Sequence, residues 1–259
     1  MAVTVRELRA LWRLLRLAAH VLAGMATVAW RFPHWDAATR ARRIQHWLAR
    51  GLAILGVQLN VSGQPPADGP RLIVSNHISW LDVLVILAAC PCRFVAKADV
   101  HHWPVLGRLV AGAGTLFIER ERKRDALRVV HRVAERLRAG DVVALFPEGT
   151  TSDGHTVLPF HANLLQAALA ADVPVQPVGL AYRPVTALPE ALVRHDAVIY
   201  VGDMTLLASL WRVATASDVV ACLHWGSAQR ADGRDRRTWA SALRAEVARL
   251  AGLPPPVEP

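Results

Sequence analysis

Beyond the Pro65-Pro66 loop, short apolar runs alternate with segments of helical period. Residues 72–75, 93–96, 115–118, 142–146, 175–180, 197–201 and 219–223 read as strands, each a brief apolar run bounded by polar or turn residues. Helices are predicted between them at 80–89, 103–111, 125–139, 162–171, 206–213 and 237–251. The clearest begins at Asp125, where Leu127, Val130, Val133 or Ala134, and Leu137 fall on one face. Alternation of this kind predicts an α/β fold: a mixed, largely parallel sheet flanked by helices. Ligands of such sheets sit at the carboxyl ends of strands. His77, Arg120 and Glu148 each follow a predicted strand, so the pattern directs them toward one rim.

The amino end follows another pattern. Residues 17–30 are apolar apart from His20 and Thr27, and Arg13, Arg16 and Arg31 flank them. As a helix this stretch covers about 21 Å, short of the roughly 30 Å hydrocarbon core of a bilayer. Extension back to Leu11 reaches a spanning length only if Arg13 and Arg16 snorkel. After Pro33, Asp36 is placed to cap a second helix. Its Ile44, Trp47, Leu48, Leu52 and Leu55 share one face, flanked by Arg40, Arg42, Arg43 and Arg50, the pattern of an interfacial amphipathic helix. The expectation is a two-helix element dipping into one leaflet, on the cytoplasmic face of the inner membrane. The plainer alternative is that both helices pack on the domain, and Trp12, Trp30, Trp35 and Trp47 suit either. No A-x-A-like site follows the apolar stretch, so no cleaved signal peptide is read there. The expected organisation is a membrane-associated helical segment at 1–56, an α/β domain at 57–252 and a tail at 253–259.

Charge narrows the partners. The chain is 53% hydrophobic yet carries a net charge of +9, which points to nucleic acid or to an anionic membrane surface. The basic residues are spread along the chain and no nucleic-acid recognition motif is present, so membrane lipids are the expected partner and nucleic acid is not. Cys90, Cys92 and Cys222 make neither a disulfide framework nor a zinc pattern, which fits thiols in a reducing compartment. Adjacent His101 and His102 point in different directions, so no metal site is expected from them.

The stretch Asn76-His-Ile-Ser-Trp-Leu-Asp82 carries the candidate chemistry. Histidine is the side chain suited to taking a proton near neutral pH, and a carboxylate on its other nitrogen would fix the tautomer and stabilise the imidazolium. Five residues along a helix rotate by roughly 140°, so the two side chains share no helical face. They meet only if His77 precedes a helix and Asp82 lies in its first turn. A buried strand before them and a Ser79-x-x-Asp82 capping-box pattern predict that corner. The plainer alternative is that Asp82 only caps the helix and His77 is a loop residue. Neither Ser nor Cys here is an evident nucleophile, so His77 is expected to activate a hydroxyl brought by a substrate.

Three further clusters accompany it. Phe117-Ile-Glu-Arg120 ends a strand with a guanidinium, a planar fork suited to phosphate. Phe146-Pro-Glu-Gly-Thr150 breaks a buried strand at Gly149 and presents Glu148 and Thr150 from a rigid edge. Val173-Pro-Val-Gln-Pro177 places two prolines in an apolar run, which predicts an edge or bulged strand.

In this order, the four blocks resemble those of the glycerolipid acyltransferase family: Asn-His-x4-Asp, Phe-Ile-x-Arg, Phe-Pro-Glu-Gly-Thr and Val-Pro-x-x-Pro. The resemblance covers roughly residues 55–230. It implies His77 as general base with Asp82 orienting it, and Arg120 as a ligand of the acceptor's phosphate. It implies that Glu148 and Gly149 help bind a glycerol acceptor, and that Asn76, Phe117, Pro147 and Thr150 complete the substrate site. It further implies an acyl-CoA or acyl-ACP co-substrate, no cofactor and no metal. The acceptor it implies first is 1-acyl-sn-glycerol-3-phosphate. One departure matters: Thr151-Ser-Asp-Gly154 stands where many members have an arginine after Gly-Thr. Residues 149–154, 158–160 and 200–204 look instead like the branch that acylates lyso-ornithine lipids.

Overall fold

A computed structural model describes residues 4–65, 69–97, 106–112, 114–118, 123–186 and 194–256. Its strands are β1 (Val57–Ser62), β2 (Arg71–Ser75), β3 (Arg93–Lys97), β4 (Leu116–Ile118), β5 (Val142–Leu145), β6 (Val175–Pro184) and β7 (Val219–Trp225). They form one sheet in the order β1-β7-β6-β2-β5-β3-β4, parallel at each pairing except the antiparallel β6–β7 pair. The mixed, largely parallel sheet expected from the alternation is therefore the observed one.

Successive side chains of a strand point to opposite faces, and two cores follow from that. On β2, Ile73 enters one apolar cluster while Leu72 and Val74 enter the other. Ile73's cluster is closed by α2 (Ala37–Leu55), through Leu48, Leu52 and Leu55, and by α3 (Leu81–Ala89), through Leu81, Val85 and Ile86. The opposite cluster is closed by α5 (Lys123–Arg138) and α8 (Arg236–Ala251), with Val133, Leu137, Trp239, Leu243 and Val247. Two shorter helices, α4 (Leu106–Gly112) and α6 (Gln166–Ala171), lie between strands, and α7 (Leu206–Thr215) precedes β7. The expected helix at 103–111 is described only from residue 106.

Four expectations are corrected. The face of α2 bearing Ile44, Trp47, Leu48, Leu52 and Leu55, expected at a membrane interface, packs into Ile73's cluster on the sheet instead. Residues 57–62 form β1, an edge strand not among those read from the sequence; only Val57 of the six is buried, and the strand pairs on one side alone, with β7. Residues 197–201 are not a strand. A 3₁₀ turn spans Asp196–Val198, and Tyr200 N–H bonds Ile78 O at 3.0 Å. Of the two forms expected for the proline-bearing run the edge is not found, since β6 lies inside the sheet between β7 and β2; its antiparallel pairing does slip by one residue between Val178↔Trp225 and Val175↔Gln229, an irregularity of the bulged kind. There Pro177 O accepts from Gly226 N–H at 2.9 Å but Pro177 has no N–H to return. Gly226 O accepts instead from Gln176 Nε2 at 3.0 Å, so a side chain supplies the missing ladder donor.

At the amino end, α1 runs Val5–Trp30, 26 residues and about 39 Å, longer than the apolar run at 17–30 suggests. A complete Thr4/Glu7 capping box starts it early, and apolar positions continue the helical period back through Leu15, Trp12 and Leu8. It is one helix long and apolar enough to cross a membrane. It is also tied to the domain. His20 stacks on Trp47 of α2 at 4.7 Å, and each ring bonds the other residue's carbonyl, at 2.9 and 3.2 Å. Gly24 permits that approach, since a Cβ there would stand 2.8 Å from the Trp47 ring. Arg13 donates to Ala214 O at 3.0 Å and Ala216 O at 2.5 Å, satisfying carbonyls at the end of α7.

Candidate active site

The corner between β2 and α3 is built by side chains that stand in for backbone. Beyond Ser75, Asn76 exchanges two bonds with Leu180 of β6: Nδ2 to the carbonyl at 2.9 Å and the N–H to Oδ1 at 2.8 Å. The strand's pairing is thereby carried one step further by an amide side chain. His77 is then held at both ends of its own peptide. Its N–H donates to Glu148 Oε1 at 2.7 Å, and its carbonyl accepts from Ser152 N–H at 2.8 Å and Ser152 Oγ at 3.2 Å. Both partners belong to the loop after β5, the neighbour of β2, so adjacent parallel strands deliver the two motifs to one rim.

The imidazole meets its acid. His77 Nδ1 lies 2.8 Å from Asp82 Oδ2, and the ring stacks on Phe146 at 3.9 Å with planes 3° apart. The Asp82 side chain has no exposed surface while His77 keeps 19% of its own, so the carboxylate is sealed and the imidazole open. With Nδ1–H donating to a carboxylate, Nε2 is the nitrogen left to accept a proton. Asp82 Oδ2 also accepts from Ile78 N–H at 2.6 Å and Ser79 N–H at 2.9 Å, and Oδ1 accepts from Tyr182 Oη–H at 2.7 Å. The capping box is half formed. Asp82 reaches back to Ser79 N–H, but Ser79 Oγ accepts from Leu81 N–H at 3.4 Å rather than from Asp82. Asp82 thus lies in the first turn of α3 without capping it, since Trp80 is the N-cap and the carboxylate bonds the N–H groups of the corner before the helix while holding the imidazole.

Glu148 is buried, and both its oxygens meet backbone: Oε1 the N–H of His77, Oε2 the N–H of Leu158 at 2.8 Å. Burial outweighs those two bonds and pushes its carboxyl up to about 7. Pro147 is buried and its carbonyl accepts from His161 N–H at 2.9 Å, whereas Gly149 and Thr150 are exposed. Gly149 has φ +73°, and a Cβ there would stand 3.0 Å from the His161 ring, so backbone conformation and space both call for glycine. Phe117 lies in β4 opposite Ala96, two strands removed from β5. The side chain of Phe117 is not among those described, and Arg120, like His101 and His102, lies outside the described residues. Tyr182 and Ser152 were not predicted. They reach their partners Asp82 and His77 from 100 and 75 residues further along the chain, and only the sheet's strand order connects them to the corner.

Residues 58–181 match the acyltransferase family model. A lyso-ornithine lipid O-acyltransferase of Pseudomonas aeruginosa is 40% identical over 213 residues, 80% of each chain. The chain belongs to the glycerolipid acyltransferase family. A 1-acyl-sn-glycerol-3-phosphate acyltransferase of Neisseria meningitidis is 39% identical over 171 residues, 65% of this chain and 64% of that one. The crystal structure of the acyltransferase PlsC from Thermotoga maritima superposes with a TM-score of 0.67 over 94% of this chain and 95% of that one, at 20% identity, which shows a shared fold. In this acyltransferase the Asn-His-x4-Asp and Phe-Pro-Glu-Gly-Thr blocks therefore meet at one corner, joined by the Glu148 and Ser152 bonds to His77.

Proposed function

We propose that the protein moves an acyl chain from an acyl thioester to the hydroxyl of a lysolipid, with His77 as general base. The observation that carries this reading is the 2.8 Å contact between a partly open imidazole and a sealed carboxylate. His77 Nε2 takes the acceptor's hydroxyl proton as its oxygen attacks the thioester carbonyl. Asp82 stabilises the imidazolium, and the proton then passes to the leaving thiolate. General base catalysis of this kind contributes about 10²- to 10⁴-fold, or roughly 3–5.5 kcal/mol of barrier. Glu148 serves the step through the backbone by fixing the height of His77 above the rim. Neither a cofactor nor a metal enters this scheme.

The acceptor we favour is a lyso-ornithine lipid. The relative that shares 80% of its length with this chain carries that name, and no arginine follows Gly149-Thr150 to meet a phosphate monoester. 1-Acyl-sn-glycerol-3-phosphate is the second reading, supported by the Neisseria relative. The donor is acyl-CoA or acyl-ACP, and the basic surface suits either acidic carrier.

The site works at a membrane surface in this reading. The solvent face of α1 carries Leu8, Leu11, Trp12, Leu15, Ala18, Ala19, Leu22, Ala29 and Trp30, with Trp12 59%, Leu15 63% and Trp30 75% exposed. Arg9 and Arg16 run along one edge of that stripe. An apolar face turned outward with cations beside it matches a helix lying in a headgroup layer. The bonds of Arg13, His20 and Trp47 hold α1 along the domain, which favours lying on the bilayer over crossing it. The cytoplasmic leaflet is the side where both thioester donors are found.

The test is direct. Purified protein is mixed with vesicles, a lysolipid and acyl-CoA or acyl-ACP, and products are read by mass spectrometry. Diacylated ornithine lipid in excess over phosphatidic acid is the expected outcome. Phosphatidic acid alone would transfer the activity to the second acceptor, and no product from any thioester pair would defeat the proposal.

A further inference from the structure

The two oxygens of Asp82 are treated unequally. Oδ2 faces three donors, the imidazole and two backbone N–H groups of the corner itself. Oδ1 accepts from one, the hydroxyl of Tyr182 at 2.7 Å, and both side chains are buried. The phenol is not free to wander. Tyr182 lies within β6, paired with Ala221 of β7, and its carbonyl accepts from His195 N–H at 2.9 Å. Burial and the charge of Asp82 push its phenol well above the usual tyrosine range, so it remains a donor throughout the working pH range. Residue 182 also lies one position past the matched stretch of the family.

We propose that Tyr182 is a positioning residue for proton transfer: acting through Asp82, its hydroxyl fixes the carboxylate plane and draws off part of its charge, tempering the grip of Asp82 on the imidazole proton. The inference rests on the reading of His77 as general base. A carboxylate sealed from water with one bare oxygen bears an uncompensated lone-pair set, and it concentrates charge on the oxygen that remains bonded. Here that oxygen is the one facing Nδ1. Loss of the Tyr182 hydroxyl therefore favours imidazolium, and a base that is already protonated cannot take the acceptor's proton. The sign follows: the acid limb of the rate profile moves to higher pH.

Tyr182→Phe keeps the ring and removes the donor. The expected result is a fall in kcat of about tenfold, with KM for the lysolipid within about twofold and the acid limb of kcat/KM raised by roughly half a pH unit. A nitrogen-15 NMR titration of the His77 ring in the same variant should show its midpoint moving up by the same amount. Because that titration needs no turnover, it decides the point even if wild-type protein acylates none of the tested lysolipids, which would count against the functional reading instead. In an Asp82→Asn background, Tyr182→Phe should cost less than about twofold more, since its route of action is already gone. Trp239→Phe, in the core on the other face of the sheet, controls for general loosening and should leave the acid limb in place. An unmoved limb and ring titration in Tyr182→Phe, or rate losses that multiply fully with those of Asp82→Asn, would overturn the proposal.

Discussion

At the His77 corner, polar side chains are turned inward and bonded; along α1, apolar side chains are turned outward and left bare. Asn76, Asp82 and Glu148 are all buried, and each spends both polar atoms of its side chain on named partners. Leu8, Trp12, Leu15 and Trp30 do the reverse and face solvent. Both arrangements cost free energy for an isolated chain in water: buried polar groups must recover lost hydration, and exposed apolar groups order the water around them. The corner recovers its cost internally, through hydrogen bonds that set one imidazole in one place. Among the described residues the helix has no such compensation, and the proposed membrane surface would supply it. The comparison separates a site that is pre-organised from a surface that awaits contact.

The sharpest way to break it is at the imidazole. His77→Ala should lower turnover by about 10³-fold or more while leaving vesicle binding and the unfolding midpoint near wild type, read by steady-state assay, flotation and thermal denaturation. Retained turnover would remove the chemistry from the corner altogether. Next in size is the amino end. Trp12→Glu with Leu15→Glu should weaken vesicle partitioning by about 10²-fold, because two large apolar groups leave the interface and two charges enter it. Unchanged partitioning would mean that α1 is not the contact surface. Activity toward a soluble short-chain lysolipid should survive that pair of changes.

Glu148 sharpens the contrast through pH. Its carboxyl is raised from 4.5 to about 7 in the fold, so ionising it is harder there than in the unfolded chain. The stability it contributes is fully present below pH 4.5 and is lost as pH rises through about 7, a change of about 3 kcal/mol. Urea denaturation at pH 5 and at pH 7.5 should show that loss in wild type and not in Glu148→Gln. The glutamine can accept from only one of the two N–H groups, so turnover should also fall by about tenfold. The smallest effect is expected at Gln176→Leu, which leaves Gly226 O and Gln64 O without their side-chain donor. A stability loss of about 1–3 kcal/mol with unchanged kcat would show that pinning by side chains matters for the sheet apart from catalysis.

Legibility varied with the range of the interactions. The strand-to-helix corner was readable because its signals are local: an apolar run, a capping pattern and a five-residue spacing that permits only one geometry. Asp82 Oδ2 and Ser79 N–H are three residues apart, and such contacts are written in the chain order. The prolines announce an irregular pairing, but that they lie inside the sheet depends on Gln176 and on Gly226, 50 residues away, which no local rule anticipates. β1 has the alternating Val57, Leu59 and Val61 of a strand, but it is an edge strand in which only Val57 is buried, so the alternation marks no buried face. The length of α1 was underestimated because its arginines interrupt the hydropathy run without interrupting the helical period.

By itself the sequence determined the elements other than β1 and the turn at Asp196–Val198, the α/β class and the pair His77 and Asp82, since periodicity, capping and proton chemistry act over a few residues. Only the tertiary structure decided the strand order, and with it the partners that arrive from afar: Glu148 and Ser152 on the His77 peptide, Leu180 on Asn76 and Tyr182 on Asp82. Which strand lies beside which depends on how two cores fill on opposite faces of one sheet. That is a property of the whole packed chain, and no short stretch of residues contains it.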